Sequence, residues 1–258
     1  MKFLITGSNG FVASCVADEA IKRGHEVTRL SRPWPELLED LVDDSAPDVI
    51  FHGAGSASVA NSIRDPSADY LQSVEPWKKL LEAVRQTGRR PLILFPSSAA
   101  VYGNPACSPV PESCALAPIS PYGIHKAECE RLAGEAREVS GLPVHVFRLF
   151  SVHGPQQKRL LVREIYEKAV SKQPIIQLFG TGEERRDYIS QHDLGRALLD
   201  FSELPVHPGA HWRFNLASGR ETSVRELAEM ICKELEIEKP IQAAAEGRAG
   251  DPARWCAQ

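Results

Sequence analysis

Tyr122 and Lys126 stand four residues apart in the stretch Ser-Pro-Tyr-Gly-Ile-His-Lys, residues 120–126. On a helix, positions i and i+4 share a face. Ser120 suits an N-cap and Pro121 suits the first helical position, so a helix is predicted from residue 121. It would aim a phenol and an ammonium the same way. A phenol ordinarily keeps its proton to about pH 10, and a neighbouring cation favours the phenolate. The pair therefore has the makings of an acid/base catalyst. Tyr-x-x-x-Lys also occurs on exposed helices, so other residues must decide.

A second group precedes it. Phe-Pro-Ser-Ser-Ala-Ala-Val-Tyr-Gly, residues 95–103, follows a predicted strand. Serines at the carboxyl end of a parallel strand sit where such sheets bind ligands. A hydroxyl there could hold a substrate oxygen for the phenol.

A third lies at the N-terminus. Thr6-Gly7-Ser8-Asn9-Gly10-Phe11-Val12-Ala13 joins the first predicted strand to the first predicted helix. That turn cradles pyrophosphate in dinucleotide folds. Gly7 and Gly10 let backbone approach phosphate, the helix N-terminus offers free N–H groups, and Ala13 is the third small position. The second strand ends in Leu30-Ser31-Arg32, with no acid for a ribose 2′-hydroxyl. Arg32 could instead pair with a 2′-phosphate. These residues favour NADP over NAD.

The elements that must carry these groups alternate. Strands are predicted over 2–6, 25–30, 47–51, 92–95 and 144–149. Helices are predicted over 11–23, 36–44, 65–86 and 121–139, with Pro76 expected to kink or split the third. This rhythm argues for an α/β fold with a doubly wound parallel sheet covered on both faces. After Gly154 the rhythm loosens. Helices are predicted over 160–171, from 192, and over 223–235, with short strands at 175–179, 187–190 and 212–215. Residues 1–155 are expected to be mainly the nucleotide-binding domain. Residues 156–258 are expected to be mainly a small substrate lobe interwoven with the sheet.

Bulk composition fits. The chain has 258 residues, 43% apolar and 25% charged, with net charge −4. These are ordinary values for a globular protein, and no basic field suggests nucleic acid. No apolar run approaches the ~20 residues of a membrane span. Glycine comes too early at the N-terminus for a signal peptide. Cysteines 15, 107, 114, 129, 232 and 256 show neither Cys-x-x-Cys nor zinc spacing. They read mostly as buried thiols of a cytoplasmic protein. His207 and His211 flank a turn sequence, and no metal site is assigned.

Taken in order, these motifs resemble the extended short-chain dehydrogenases/reductases, the superfamily of nucleotide-sugar epimerases, dehydratases and reductases. The likeness runs through nearly the whole chain. Val49–Gly55 resembles the family's strand and cofactor loop, with Gly53, Ala54 and Gly55 at the cofactor. Ser62-Ile63-Arg64-Asp65-Pro66 resembles its Ser-x-x-Asp-Pro helix start. Residues 148–155, Arg-Leu-Phe-Ser-Val-His-Gly-Pro, resemble its loop beside the nicotinamide, which implicates Phe150 and His153. Arg186 and Arg248 fall in segments whose arginines hold the substrate diphosphate. The resemblance implies that Tyr122 is the acid/base and that Lys126 bonds the nicotinamide ribose and keeps the phenol acidic. It implies that Ser98 bonds the same sugar oxygen. It further implies a nucleotide-diphosphate sugar as substrate and a homodimer through helices 65–86 and 121–139.

Departures narrow the reaction. Ser73 and Ser151 stand where many relatives carry asparagine. Ala99 and Ala100 stand where 4,6-dehydratases carry Asp-Glu, which disfavours dehydration. The stretch between Arg32 and Pro47 is short and lacks a strand of longer relatives. Relatives also continue past Trp255, so a truncated C-terminus is expected. The expected chemistry is hydride transfer at the 4-carbon of a nucleotide-linked hexose. Arg32 tips it toward an NADP-dependent 4-keto-sugar reductase. The alternatives are an NAD-dependent 4-epimerase and, in another class, a non-catalytic NADP-binding regulator.

Overall fold

The computed structural model describes residues 1–34, 38–157, 160–205, 207, 209–244 and 254–258. The chain opens with β1 (Lys2–Thr6), α1 (Phe11–Lys22), β2 (Glu26–Leu30) and α2 (Leu38–Ser45). There follow β3 (Val49–His52), α3 (Val59–Arg64), α4 (Pro66–Thr87) and β4 (Leu92–Ser98). A 3₁₀ turn (Ala99–Tyr102) and a long loop lead to α5 (Pro121–Ser140) and β5 (Val144–Leu149). Next come β6 (Ser151–His153), α6 (Leu161–Val170), β7 (Ile176–Leu178), β8 (Arg185–Ser190) and α7 (Gln191–Glu203). The chain closes with β9 (Arg213–Leu216), β10 (Glu221–Ser223), α8 (Val224–Glu234), β11 (Ile241–Ala243) and β12 (Arg254–Trp255).

Six strands lie parallel in the order β2-β1-β3-β4-β5-β9. From β2 the chain passes through α2 to the far side of β1, which leaves β2 as an edge. The order of winding reverses between β1 and β3, where open α/β sheets bind ligands. Alternation sends Leu4 to one face and Phe3 and Ile5 to the other. Leu4, Ile50, Ile93 and Phe95 pack with Trp77 and Leu80 of α4 and Cys129 and Ala133 of α5. Phe3, Ile5, Phe51 and Leu94 pack with Val16 and Ala20 of α1 and Leu194 and Leu198 of α7. With both faces covered, the inner strands read as continuous apolar runs. In the second half β8 pairs with β6, β10 and β12, and β7 pairs with β11. Helices α6 and α8 close on one another through Ile165, Ala169, Leu227 and Ala228, whereas α7 and β9 return to the main sheet.

One expectation is corrected. Pro76 does not split its helix, since α4 runs from Pro66 to Thr87 with the proline inside it. Proline has no N–H, so the carbonyl four residues earlier, on Gln72, lacks its helical donor. Arg32 Nη2 donates to that carbonyl at 3.2 Å and replaces the missing bond. Residue 36, the predicted start of the second helix, lies outside the described residues.

His52 closes β3, buried against the rings of Trp34, Trp77 and Phe95, with Thr6 Oγ1 3.0 Å from its Nδ1. Burial, with a smaller contribution from the Lys126 ammonium, pushes its pKa down to about 3. The fold therefore holds it neutral, while a histidine in the unfolded chain titrates near 6.5. Below that pH the unfolded chain binds more protons, so stability falls as pH falls from 6.5 toward 3. From pH 7 to pH 5 this residue alone should remove about 2 kcal/mol. Urea unfolding at the two pH values checks it. His52→Gln, which cannot titrate, should show a correspondingly weaker dependence, and an equal dependence would refute the assignment.

Candidate active site

At the switch point two glycine loops touch. Gly10 donates its N–H to the Gly7 carbonyl at 2.8 Å, and Gly7 sits at φ +64°. A Cβ on Gly7 would stand 2.5 Å from Ala54 N and 2.6 Å from the Gly53 carbonyl carbon. The turn after β1 thus lies directly on the loop after β3. Ala54 N donates to Thr6 Oγ1 at 3.3 Å. Ser73 Oγ, on α4, accepts the Ser56 N–H at 3.1 Å and holds the other end of that loop. α1 starts without a side-chain cap and without an acidic residue in its first turn. Its leading N–H groups, which have no helical acceptor, keep a positive potential for an anion. This cradle suits the pyrophosphate of a dinucleotide.

Across the cleft stands the first turn of α5. Ser120 Oγ caps it by accepting the Gly123 N–H at 3.2 Å, and Pro121 takes the first position. Ser62 Oγ accepts the Tyr122 N–H at 3.0 Å, so the Ser-x-x-Asp-Pro segment ties down the backbone of the phenol. A Cβ on Gly123 would stand 2.5 Å from the Ala100 carbonyl oxygen. Only glycine lets α5 sit this close to the turn that follows Ser98. Lys126 is buried and donates from Nζ to the Pro96 carbonyl at 2.8 Å. Its Nζ lies 4.9 Å from the Phe95 ring centroid and 5.9 Å from that of Tyr122. Ser98 Oγ accepts the Ala100 N–H at 3.2 Å. The phenol, the ammonium and the hydroxyl therefore converge at the carboxyl end of β4.

Twelve residues assigned to the site from the sequence, beside Ala13 of the glycine turn, share one cleft of about 1010 Å³. They are Asn9, Gly10, Phe11, Val12, Gly53, Gly55, Ser98, Tyr122, Lys126, Phe150, Ser151 and Arg186. Gly7, Ser8 and Ala54 are not on its wall; the contacts above place Gly7 and Ala54 in the turn and loop that shape it. Ser31 Oγ lies 2.9 Å from Ser8 Oγ. Arg32 faces a different groove, bounded by Trp34, Leu71 and Pro76, and its guanidinium serves the Gln72 carbonyl. His153 is not on the cleft wall and packs its ring on Tyr188, centroids 6.5 Å apart. Arg186 is buried and stacks over Trp255 at 5.4 Å. Arg248 lies outside the described residues. Among the described residues no group of His, Cys, Asp or Glu is placed to hold a metal, and no helix is long and apolar enough to cross a membrane.

Sequence reasoning passed over several residues that shape the site. Gly123 could have been flagged as a glycine directly beside the phenol in a helix start. Ser62 belongs to the Ser-x-x-Asp-Pro motif, but the motif does not reveal its bond to Tyr122. Gln156 and Gln157, which also line the cleft, carry no sequence signal that separates them from surface glutamines.

A model of the NAD dependent epimerase/dehydratase family matches residues 3–217. A UDP-glucose 4-epimerase of Mycolicibacterium smegmatis is 30% identical over 254 residues, covering 88% of this chain and 80% of that protein. The crystal structure of a Thermotoga maritima UDP-glucose 4-epimerase with UDP-glucose superposes with a TM-score of 0.90 at 28% identity, over 100% of this chain and 90% of that one. A Thermus thermophilus UDP-glucose 4-epimerase in complex with NAD gives 0.87 at 25% identity, over 100% and 90%. With the family model spanning most of the chain and the cleft assembled as described, this protein belongs to the NAD-dependent epimerase/dehydratase family, enzymes of the extended short-chain dehydrogenase/reductase type.

Proposed function

We propose that this protein is a nucleotide-sugar 4-epimerase that works with NAD on a UDP-hexose. The observation that carries the reading is the cleft in which Tyr122, Lys126 and Ser98 face the glycine turn. The relatives support the substrate: several are UDP-glucose 4-epimerases, and one neighbour is a UDP-N-acetylglucosamine 4-epimerase. A reductase gains no comparable support. Its main support in the sequence is Arg32, and that guanidinium has another task at Gln72.

When bound, NAD supplies a hydride acceptor and donor. The chain's own groups handle the proton and the geometry. Tyr122 removes the proton from the sugar 4-hydroxyl and returns one to the 4-oxygen. Lys126 sets its ammonium beside that phenol, 5.9 Å from the ring centroid. Ser98 hydrogen-bonds the same oxygen. Asn9, Gly10, Phe11 and Val12 would hold the pyrophosphate, and Arg186 and Arg248 would clamp the substrate diphosphate. Residues after 155 contribute mainly the substrate side of the cleft. The outer faces of α4 and α5 form the contact of a homodimer, which light scattering can check.

The test is direct. Protein with NAD is mixed with UDP-galactose, and products are separated while absorbance at 340 nm is followed. UDP-glucose forming against a flat trace supports the epimerase. Steady loss of NADPH with a 4-keto nucleotide sugar, and no isomer from either UDP-hexose, would overturn it in favour of the reductase. An NADP-dependent enzyme should also lose affinity for NADP in Arg32→Ala, whereas the epimerase reading expects NAD binding to stay unchanged.

A further inference from the structure

Tyr122, Lys126 and Glu130 form one stripe along α5 at four-residue spacing. The first two face the cleft, while Glu130 turns into the protein with 1% of its surface exposed. A carboxylate so buried must be paired and hydrogen-bonded. Its hydrogen-bonded cation is Arg148 on β5, 2% exposed, and Arg213 Nε on β9 lies 3.9 Å from Oε2. Arg148 donates from Nε to Glu130 Oε1 at 3.0 Å and from Nη2 to Oε2 at 2.7 Å. Ser97 Oγ donates to Glu130 Oε1 at 2.6 Å. Arg148 Nη1 donates to the Tyr102 hydroxyl at 2.8 Å and to the Glu112 carbonyl at 2.9 Å. The Tyr102 hydroxyl donates in turn to Asn215 Oδ1 at 2.7 Å.

The network has a specific address. Ser97 lies between Pro96, whose carbonyl takes the Lys126 ammonium, and Ser98, and all three line the cleft. Tyr102 ends the 3₁₀ turn that begins just after Ser98. Glu130 is one helical turn beyond Lys126. The bonds therefore join β4, its following turn, α5 and β5 at the point where catalytic geometry is set. A bidentate guanidinium–carboxylate pair is directional, so it resists both rotation of α5 and sliding of α5 along the sheet. A packed apolar pair would be at least as stabilising in many proteins but would leave that register less defined.

We propose that the buried Glu130–Arg148 pair, latched to Ser97, is a positioning element that fixes α5 against the end of β4 and so sets Tyr122 and Lys126 relative to Ser98. The inference rests on the acid/base role proposed for Tyr122. Glu130, Arg148 and Ser97 are positioning residues, without a part in proton transfer.

Two mild variants test it, Ser97→Ala and Glu130→Asp. The first removes one hydrogen bond, and the second keeps the charge but shortens its reach by one methylene. With UDP-galactose and NAD, kcat should fall about tenfold in each while KM changes less than about twofold, as expected when positioning for the transition state is lost and ground-state binding is kept. A second readout needs no substrate. In protein labelled with 13C at tyrosine Cζ, the Tyr122 signal is identified by its absence in Tyr122→Phe. At a fixed pH that signal should change position in both variants, because the Lys126 ammonium is no longer held at its place beside the ring. A merely structural pair would lower the melting temperature and leave both kcat and the Tyr122 signal as in the wild type, which overturns the inference. Should Glu130→Asp fail to fold, Ser97→Ala decides. Should the wild type turn over no nucleotide sugar, the epimerase reading fails and the carbon signal alone decides this one.

Discussion

Replacing Tyr122 with Phe is expected to lower turnover in the proposed epimerase reaction by about 10²–10⁴-fold, the usual contribution of a positioned general acid/base, with NAD binding retained. The substitution removes one oxygen and little else. The Tyr122 backbone is held by Ser62 and the α5 cap is made by Ser120, so neither depends on the hydroxyl. The ring remains available to the Lys126 ammonium. Fold and cofactor cradle should therefore survive, which makes the rate loss attributable to proton transfer. Stopped-time conversion of UDP-galactose gives the rate, and calorimetric titration gives NAD affinity. A variant that keeps full turnover sinks the acid/base assignment. A variant that loses NAD along with turnover shows instead that the phenol belongs to the cofactor site. A non-catalytic regulator would respond differently again, since its ligand binding and output would both be indifferent to the missing oxygen.

Much of this arrangement was legible from residue types. The glycine turn, the strand-end serines and the capped Tyr-x-x-x-Lys helix each carry a local chemical signature. The glycine turn sits at a strand–helix junction that hydrophobic periodicity can find, the serines close β4, and the Tyr–Lys pair opens α5. Assembly was not legible from the same signals. Glu130 reads as one more helical acid beside Glu128 and Arg131, and only the sheet places its partner Arg148 opposite it. Arg32 shows a different limit. Its position after β2 pointed to a cofactor phosphate, but Pro76, forty-four residues later, leaves a carbonyl that the arginine serves. His153 fell inside a matching motif, yet β6 pairs with β8 and packs its ring on Tyr188. The short strands β6, β10 and β12 owe their existence to β8, with which each pairs at a distance along the chain. Runs of two or three residues carry no usable period of their own.

Gly7→Ala is expected to be the most damaging substitution in the cofactor cradle. Two separate effects act there. The left-handed backbone at φ +64° costs a residue with a Cβ about 1–2 kcal/mol. The new methyl would also press on Ala54 N and on Gly53 at 2.5–2.6 Å, and such overpacking costs about 1–3 kcal/mol more. The atoms it meets are backbone, so no side-chain rotation relieves the contact. The two loops must part, or the strain stays in the fold. Parting would widen the seat of the pyrophosphate and appear as lost NAD affinity, at about 1.4 kcal/mol per tenfold. Retained strain would appear as lost unfolding free energy. The sum of the two losses should reach about 2–5 kcal/mol. Gly24→Ala is the matched control. Gly24 has φ +80°, but a methyl added there would meet nothing within 4 Å, so it should show only the backbone cost and leave NAD affinity untouched. Equal behaviour of the two variants, in both stability and NAD binding, would mean that the contact between the loops after β1 and β3 does not shape the cofactor site.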